Sequence, residues 1–134
     1  MDAERAFDRA RRGRRRAALR RRADARRLPV LEPRALTPPT GVAPGIREIP
    51  LAEIRGTLEP GRARLFDRAF RPAPETRGRW LRLWLAEHRG VILPPVAVVR
   101  VGHAYAVRDG HHRISVARAR GAVAIDATIE HLVA

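Results

Sequence analysis

The stretch that most constrains the fold is residues 104–124, which read AYAVRDGHHRISVARARGAVA. Tyr105 and Val107 alternate with smaller or polar residues, which is the period of a half-buried strand. Gly110 permits a sharp change of chain direction after that strand. An alanine-rich segment with an apolar side follows, and Gly121 is typical of a helix C-terminal cap. The stretch therefore predicts a strand, a tight turn and a helix in direct succession.

The first turn of the predicted helix is a candidate anion-binding site. Free backbone N–H groups and the positive end of the helix dipole favour negative charge there. Arg113 has a planar guanidinium that can bind two phosphate oxygens, and His111 and His112 add ring donors. Asp109 is well placed to cap the helix through its short carboxylate. The residues alone leave two interpretations open, a phosphate site and a capped helix with solvated histidines.

The same segment resembles a known superfamily. The order Pro-Pro-Val-Ala-Val-Val-Arg-Val, a short turn, Tyr-Ala-Val-Arg-Asp-Gly-His-His-Arg, an alanine-rich helix and Ala-Ile-Asp-Ala-Thr-Ile looks like the ParB/sulfiredoxin superfamily. The upstream Ile-Arg-Glu-Ile-Pro-Leu-Ala-Glu-Ile is similar to its opening strand, so the resemblance runs from residue 46 to residue 133. It implies an α/β fold with a small mixed sheet and packed helices. It also implies that Gly110, His111, His112 and Arg113 hold a phosphate group.

Within this superfamily the residues at the turn vary with function. Chromosome-partitioning members carry a Gly-Glu-Arg-Arg type of sequence there, which holds the phosphates of a cytidine nucleotide, and sulfiredoxins carry a cysteine. This chain contains no cysteine, which excludes thiol chemistry at the turn. Its Asp-Gly-His-His-Arg version resembles the branch with free-serine kinases and ParB-like nucleases. The resemblance implies a bound nucleotide, ATP or CTP, with magnesium, and leaves nucleotide hydrolysis, phosphoryl transfer and binding without catalysis open.

Three residues are candidates for catalysis if the protein is an enzyme. In serine-kinase-like relatives a glutamate after the first strand faces the phosphate site as a base, and Glu59 occupies a similar place. It lacks the neighbouring histidine and second acid of that branch, and an ordinary helix-start acid before Pro60 is the alternative. Asp109 could hold the magnesium ion together with the phosphates. His112 could donate to a phosphate or serve as a general acid or base.

Residues 1–27 concentrate the positive charge of the chain. They contain 12 of the 28 arginines and four acidic residues, in a chain of net charge +14. Good helix formers dominate, but the large apolar side chains are Phe7 and Leu19, which predicts a solvated basic helix outside the core. Such a segment suits nucleic acid or another polyanion. A solubilising tail and a partner-docking helix are the alternatives.

The rest of the chain divides into a predicted linker and a predicted domain. Residues 28–45 contain five prolines and two glycines, as extended linkers do. Residues 46–134 form the predicted ParB-like domain. Its expected strands lie near 46–51, 93–101, 104–108 and 123–130, and its expected helices near 60–70, 75–89 and 111–120.

Composition narrows the class of protein further. The sequence has no secretory signal and no apolar run long enough to cross a bilayer, so we expect a cytoplasmic, bacterial protein without a membrane partner. A non-enzymatic DNA-associated protein of the ParB type, which binds through Met1–Arg27, is the competing function. The helix-turn-helix region of full partitioning proteins does not follow in this sequence, so we do not expect it to recognise a specific centromere site.

Overall fold

The computed structural model describes residues 2–32 and 45–130. Its helices are α1 (Ala3–Leu19), α2 (Pro60–Ala63), α3 (Arg77–His88) and α4 (His111–Ala119). Its strands are β1 (Ile46–Pro50), β2 (Ile54–Thr57), β3 (Val96–Val101), β4 (Ala104–Asp109) and β5 (Ala124–Glu130). Short 3-10 turns cover Ala23–Ala25, Leu51–Glu53 and Pro74–Thr76.

The five strands form one mixed sheet in the order β1-β5-β3-β4-β2. β1 and β5 are antiparallel, β5 and β3 parallel, β3 and β4 antiparallel, and β4 and β2 parallel. The predicted α/β class with a small mixed sheet is confirmed. Each of the four predicted strands is present, and β2 is a fifth that the prediction missed. Its four residues include Gly56, which weakens the sequence signal of a strand.

The apolar residues of β3 and β4 explain the position of the core. Val96, Val98 and Val107 are fully buried and pack with Ile114 of α4. The tryptophans of α3 are also in the core, as their helical spacing predicts, because Trp80 is fully buried and Trp84 is nearly so. No helix within the described residues is long and apolar enough to cross a membrane.

The prediction that the basic N-terminal helix lies outside the core is wrong. Phe7 is 3% exposed and makes an edge-to-face contact with Trp80, at a centroid distance of 5.3 Å. Ala3 and Ala6 complete this buried face of α1. The arginines occupy the rest of the helix surface, and small alanines allow close packing with a single large side chain. Residues 1–27 therefore include a packed helix rather than a detached arm.

Two other predicted boundaries change. The helix expected over 60–70 ends at Ala63, and a turn follows in which the buried Asp67 accepts hydrogen bonds from the backbone N–H groups of Ala69 and Arg71. These bonds replace those that a continuing helix would form. The predicted linker 28–45 falls mostly outside the described residues. Its first residue, Leu28, is buried in the core rather than extended in solvent.

Candidate functional site

The turn between β4 and α4 requires glycine for two reasons. Gly110 is the residue before the first helical position and has φ 108°, a conformation that L side chains rarely adopt. A Cβ at this position would lie 2.5 Å from Cγ1 of Val96. Because residue 110 is glycine, the chain can pass close to β3 and start α4 beside the end of the sheet. As at every helix start, the first N–H groups of α4 have no intrahelical partners.

Asp109 does not cap the helix as the sequence predicts. Within the described residues, no side chain forms a cap hydrogen bond at the start of α4. The Asp109 Oδ2 instead accepts a hydrogen bond of 3.2 Å from the guanidinium of Arg113. The Asp109 side chain is 71% exposed, so most of its carboxylate surface remains accessible.

A small pocket of about 150 Å³ opens at this turn. Five of the residues that the sequence analysis selected line it, namely Glu59, Asp109, Gly110, His111 and His112. Three arginines that were not selected line it as well, and they come from three different elements: Arg62 of α2, Arg79 of α3 and Arg108 of β4. The pocket therefore combines the helix terminus with side chains from distant parts of the sequence.

The arginines of the pocket differ in how they are paired. Arg108 forms an ion pair with Glu130 of β5. Arg62 and Arg79 have exposed side chains and no carboxylate partner within residues 2–32 and 45–130. Their positive charges are thus available to a ligand. Arg108 precedes Asp109 in the motif and could have been selected from the sequence, but no spacing rule connects Arg62 or Arg79 to it.

Both histidines of the turn are buried and electrically neutral at neutral pH. His111 is 4% exposed and His112 is 6% exposed. Burial, together with the nearby charge of Arg62, lowers the pKa of His111 from 6.5 to about 4. Burial, together with the charges of Arg79 and Arg62, lowers the pKa of His112 to about 4. The alternative of solvated histidines is therefore wrong.

Thr57, which the sequence analysis did not select, positions the buried ring of His111. Its hydroxyl oxygen lies 2.6 Å from Nε2 of His111 and accepts a 2.9 Å hydrogen bond from the backbone N–H of Glu59. The ring of Phe66 stacks on His111 at a centroid distance of 6.2 Å and meets His112 edge-on at 5.3 Å. The end of β2, the loop of Glu59 and the start of α4 are therefore connected through one threonine.

Arg113 lies apart from the other selected residues. Its guanidinium donates to the backbone oxygens of Pro94 and Pro95 and to Asp109, and it does not line the small pocket. These hydrogen bonds connect α4 to the loop before β3. A role for Arg113 in phosphate binding stays a prediction, and Arg62 and Arg79 are the cations that face the pocket.

The donor set for a metal ion consists of the two carboxylates of the pocket, Glu59 and Asp109. No group of three or more histidine, aspartate or glutamate side chains suited to a metal occurs within the described residues. Magnesium is typically held by one or two carboxylates together with substrate phosphates and water. The residues present therefore fit magnesium that arrives with a phosphate ligand better than a site made by protein alone.

Comparison with known proteins gives likenesses among solved structures. No protein-family model matches the chain, and no curated protein matches it. Among solved structures, the chain is similar to a sulfiredoxin from Arabidopsis thaliana, with 25% sequence identity and a TM-score of 0.48. The match covers 66% of this chain and 88% of that chain.

Proposed function

We propose that the protein binds a phosphate-bearing ligand, such as a nucleotide, at the N-terminus of α4. The observation that supports this most directly is that Arg62 and Arg79, which have no carboxylate partner among the described residues, lie in one pocket with the first turn of that helix. Arg108 and Asp109 are each paired with a residue outside the pocket. Arg62, Arg79 and the free N–H groups therefore outweigh the carboxylate of Glu59, so the pocket favours an anion. Arginine can also bind phosphate oxygens through two parallel hydrogen bonds.

The size of the pocket indicates which part of a nucleotide it would enclose. Pockets that surround a whole small molecule typically measure roughly 300–1,000 Å³, and this one measures about 150 Å³. It suits a phosphate group, and the sugar and base would lie outside it, next to the exposed arginines. The identity of the base would then be read by residues at the rim rather than within the pocket.

Magnesium would be held by Asp109 and would neutralise phosphate oxygens next to the carboxylates of Asp109 and Glu59. Both residues line the pocket, and both would otherwise repel an anionic ligand. We therefore expect nucleotide binding to weaken when magnesium is removed. The binding of inorganic sulfate, which needs no metal, should depend on the arginines alone.

Neutralising Arg79 tests the binding site. Arg79→Gln should weaken the binding of ATP or CTP with magnesium by about tenfold or more, as expected for removal of a charge-assisted hydrogen bond. Arg82→Gln is the matched control, because Arg82 is exposed on the same helix and does not line the pocket. Titration calorimetry on the three proteins measures the difference. Equal affinities for all three, or no binding by the unmodified protein, would refute the proposal.

A catalytic role would rest on Glu59, with Asp109 on magnesium and His112 near the phosphate. Glu59→Gln should abolish the release of phosphate from a bound nucleotide, or its transfer to a second substrate, with little change in nucleotide affinity. Release of phosphate from ATP and CTP measures this. Unchanged turnover in Glu59→Gln would leave Glu59 as a residue that only begins α2.

A second candidate function is sequence-independent binding of nucleic acid by α1. Arg15 and Arg16 follow Arg12 by three and four residues, which places both beside Arg12 on the helix surface. All three are exposed and have no carboxylate partner within the described residues. This charged face lies away from the buried Phe7. It could neutralise several phosphates at once.

Because α1 is packed, substitution tests this function better than deletion. Changing Arg12, Arg15 and Arg16 together to glutamine removes three charges and leaves Phe7 in place. For duplex DNA, the slope of log affinity against log salt should become shallower by about 0.9 for each phosphate that the variant no longer neutralises. Fluorescence anisotropy with two unrelated duplexes over a salt series measures it. An unchanged slope would exclude this face, and a strong preference for one duplex would require base contacts as well.

A further inference from the structure

A second and larger cavity lies on the opposite half of α4. It measures about 640 Å³, within the range of roughly 300–1,000 Å³ that is typical of small-molecule sites. One wall is the surface of α1 around Ala10 and Gly13, and the other is the end of α4 from Ser115 to Ala119. None of the residues that line the small pocket at the N-terminus of α4 lines this cavity.

The charge of this cavity has one sign. Four arginines line it, and no aspartate or glutamate does within the described part of the chain. Arg71 and Arg120 are neutralised by ion pairs with acidic residues outside the cavity. Arg9 and Arg118 have no such pair among the described residues, although Arg118 donates to the backbone oxygen of Leu51. The cavity therefore has positive charge available for an anion.

Two aromatic residues also line the cavity, but other residues cover almost all of their surface. Trp84 and Phe70 both line it, and both are more than nine-tenths buried. The Nε1–H of Trp84 is buried and has no hydrogen-bond acceptor within the described residues. Buried donors without acceptors are uncommon, because desolvation of the group is then not compensated. The indole stacks on Trp80 at a centroid distance of 5.5 Å and the guanidinium of Arg120 lies over the ring at 4.8 Å. The apolar surface open to a ligand is therefore that of Ala10, Ala69 and Ala119.

We propose that this cavity is a binding site for a small organic anion, a carboxylate or sulfonate on an apolar body. The apolar body would pack against Ala10, Ala69 and Ala119, and the anionic group would pair with Arg9 and Arg118. The site is independent of the proposed phosphate site, and it depends on the docking of α1, which forms one of its walls.

Anilinonaphthalene sulfonate is a suitable probe, because it combines planar rings with a sulfonate and fluoresces when it binds apolar surfaces. The folded protein should bind it saturably at one site. Gly13→Leu should abolish binding by filling the cavity, since a Cβ at Gly13 has its nearest contact at 3.7 Å and leucine favours a helix more than glycine does. Gly78→Leu is the matched control, at an exposed glycine of α3 outside the cavity.

Further measurements distinguish binding at this site from nonspecific binding of the dye. Arg9→Gln should weaken sulfonate binding by about tenfold, and Arg12→Gln, at an exposed arginine outside the cavity, should not. Phenylnaphthylamine, the same ring system without the sulfonate, should bind more weakly than the sulfonate. Circular dichroism on each variant is required, because partly unfolded chains also bind such dyes. Equal binding by Gly13→Leu and the unmodified protein, or no binding by the unmodified protein, would overturn the proposal.

Discussion

The two buried histidines make the stability of the fold depend on pH between neutrality and mild acid. His111 and His112 have pKa values of about 4 in the folded protein, because burial and the charges of Arg62 and Arg79 disfavour their protonated forms. The other charged groups near His111 are His112, which acts in the same direction, and Asp109, which opposes it. In the unfolded chain both rings return to a pKa of about 6.5.

The sign of the effect follows from proton uptake on unfolding. Below about pH 6.5 the unfolded state binds protons that the folded state does not, so the free energy of unfolding falls as the pH falls. The stability is fully present above about pH 6.5 and is lost progressively until about pH 4, where the folded histidines also protonate. Between about pH 7 and about pH 5 the loss is about 2 kcal/mol for each histidine.

Urea unfolding at a series of pH values from about 7.5 to about 5 measures this loss, and staying above pH 5 limits the contribution of carboxylates. His111→Gln and His112→Gln should each reduce the slope of unfolding free energy against pH by about half. His88→Gln, at an exposed position at the end of α3, should leave it unchanged. A flat profile for the unmodified protein, or equal slopes in all variants, would refute the assignment of two buried neutral histidines.

Three substitutions test other contacts through the free energy of unfolding in urea. Gly110→Ala should destabilise the fold by about 2 kcal/mol or more, because of its positive φ and the contact of 2.5 Å that a Cβ would make; Gly61→Ala, where a Cβ meets nothing within 4 Å, should not. Phe7→Ala should cost about 3 kcal/mol if α1 is part of the core, and no measurable amount if it is a detached arm. Thr57→Val should cost about 1–3 kcal/mol, since Nε2 of His111 and the N–H of Glu59 lose their partner, and an unchanged stability would refute this role of the hydroxyl.

Local patterns were sufficient to predict most of the sheet and the turn. The strand and the turn are indicated by the alternation at Tyr105 and Val107 and by Gly110. These signals involve neighbouring residues only, so they can be read from the sequence without knowledge of the fold. The docking of α1 depends on contacts between residues that are far apart in the sequence. Its buried face consists of alanines with one phenylalanine, and its contact is Trp80, which lies more than 70 positions further along the chain. A prediction from the number of large apolar residues and of charges in this segment therefore gives a solvated helix. Alanines can pack closely against another helix, however, so few large side chains are needed to bury one face of α1.

The arginines that line the candidate site also could not be predicted from neighbouring residues in the sequence. Arg113 belongs to the motif, but Asp109 is four residues before it and the oxygens of Pro94 and Pro95 are adjacent, so its guanidinium is already engaged. Arg62 and Arg79 come to the pocket from α2 and α3, which precede the motif in the sequence and are separate from it. A phosphate bound at the turn would therefore meet positive charge supplied by tertiary packing. Because His111 and His112 are neutral there, that charge would not fall as the pH rises through neutrality.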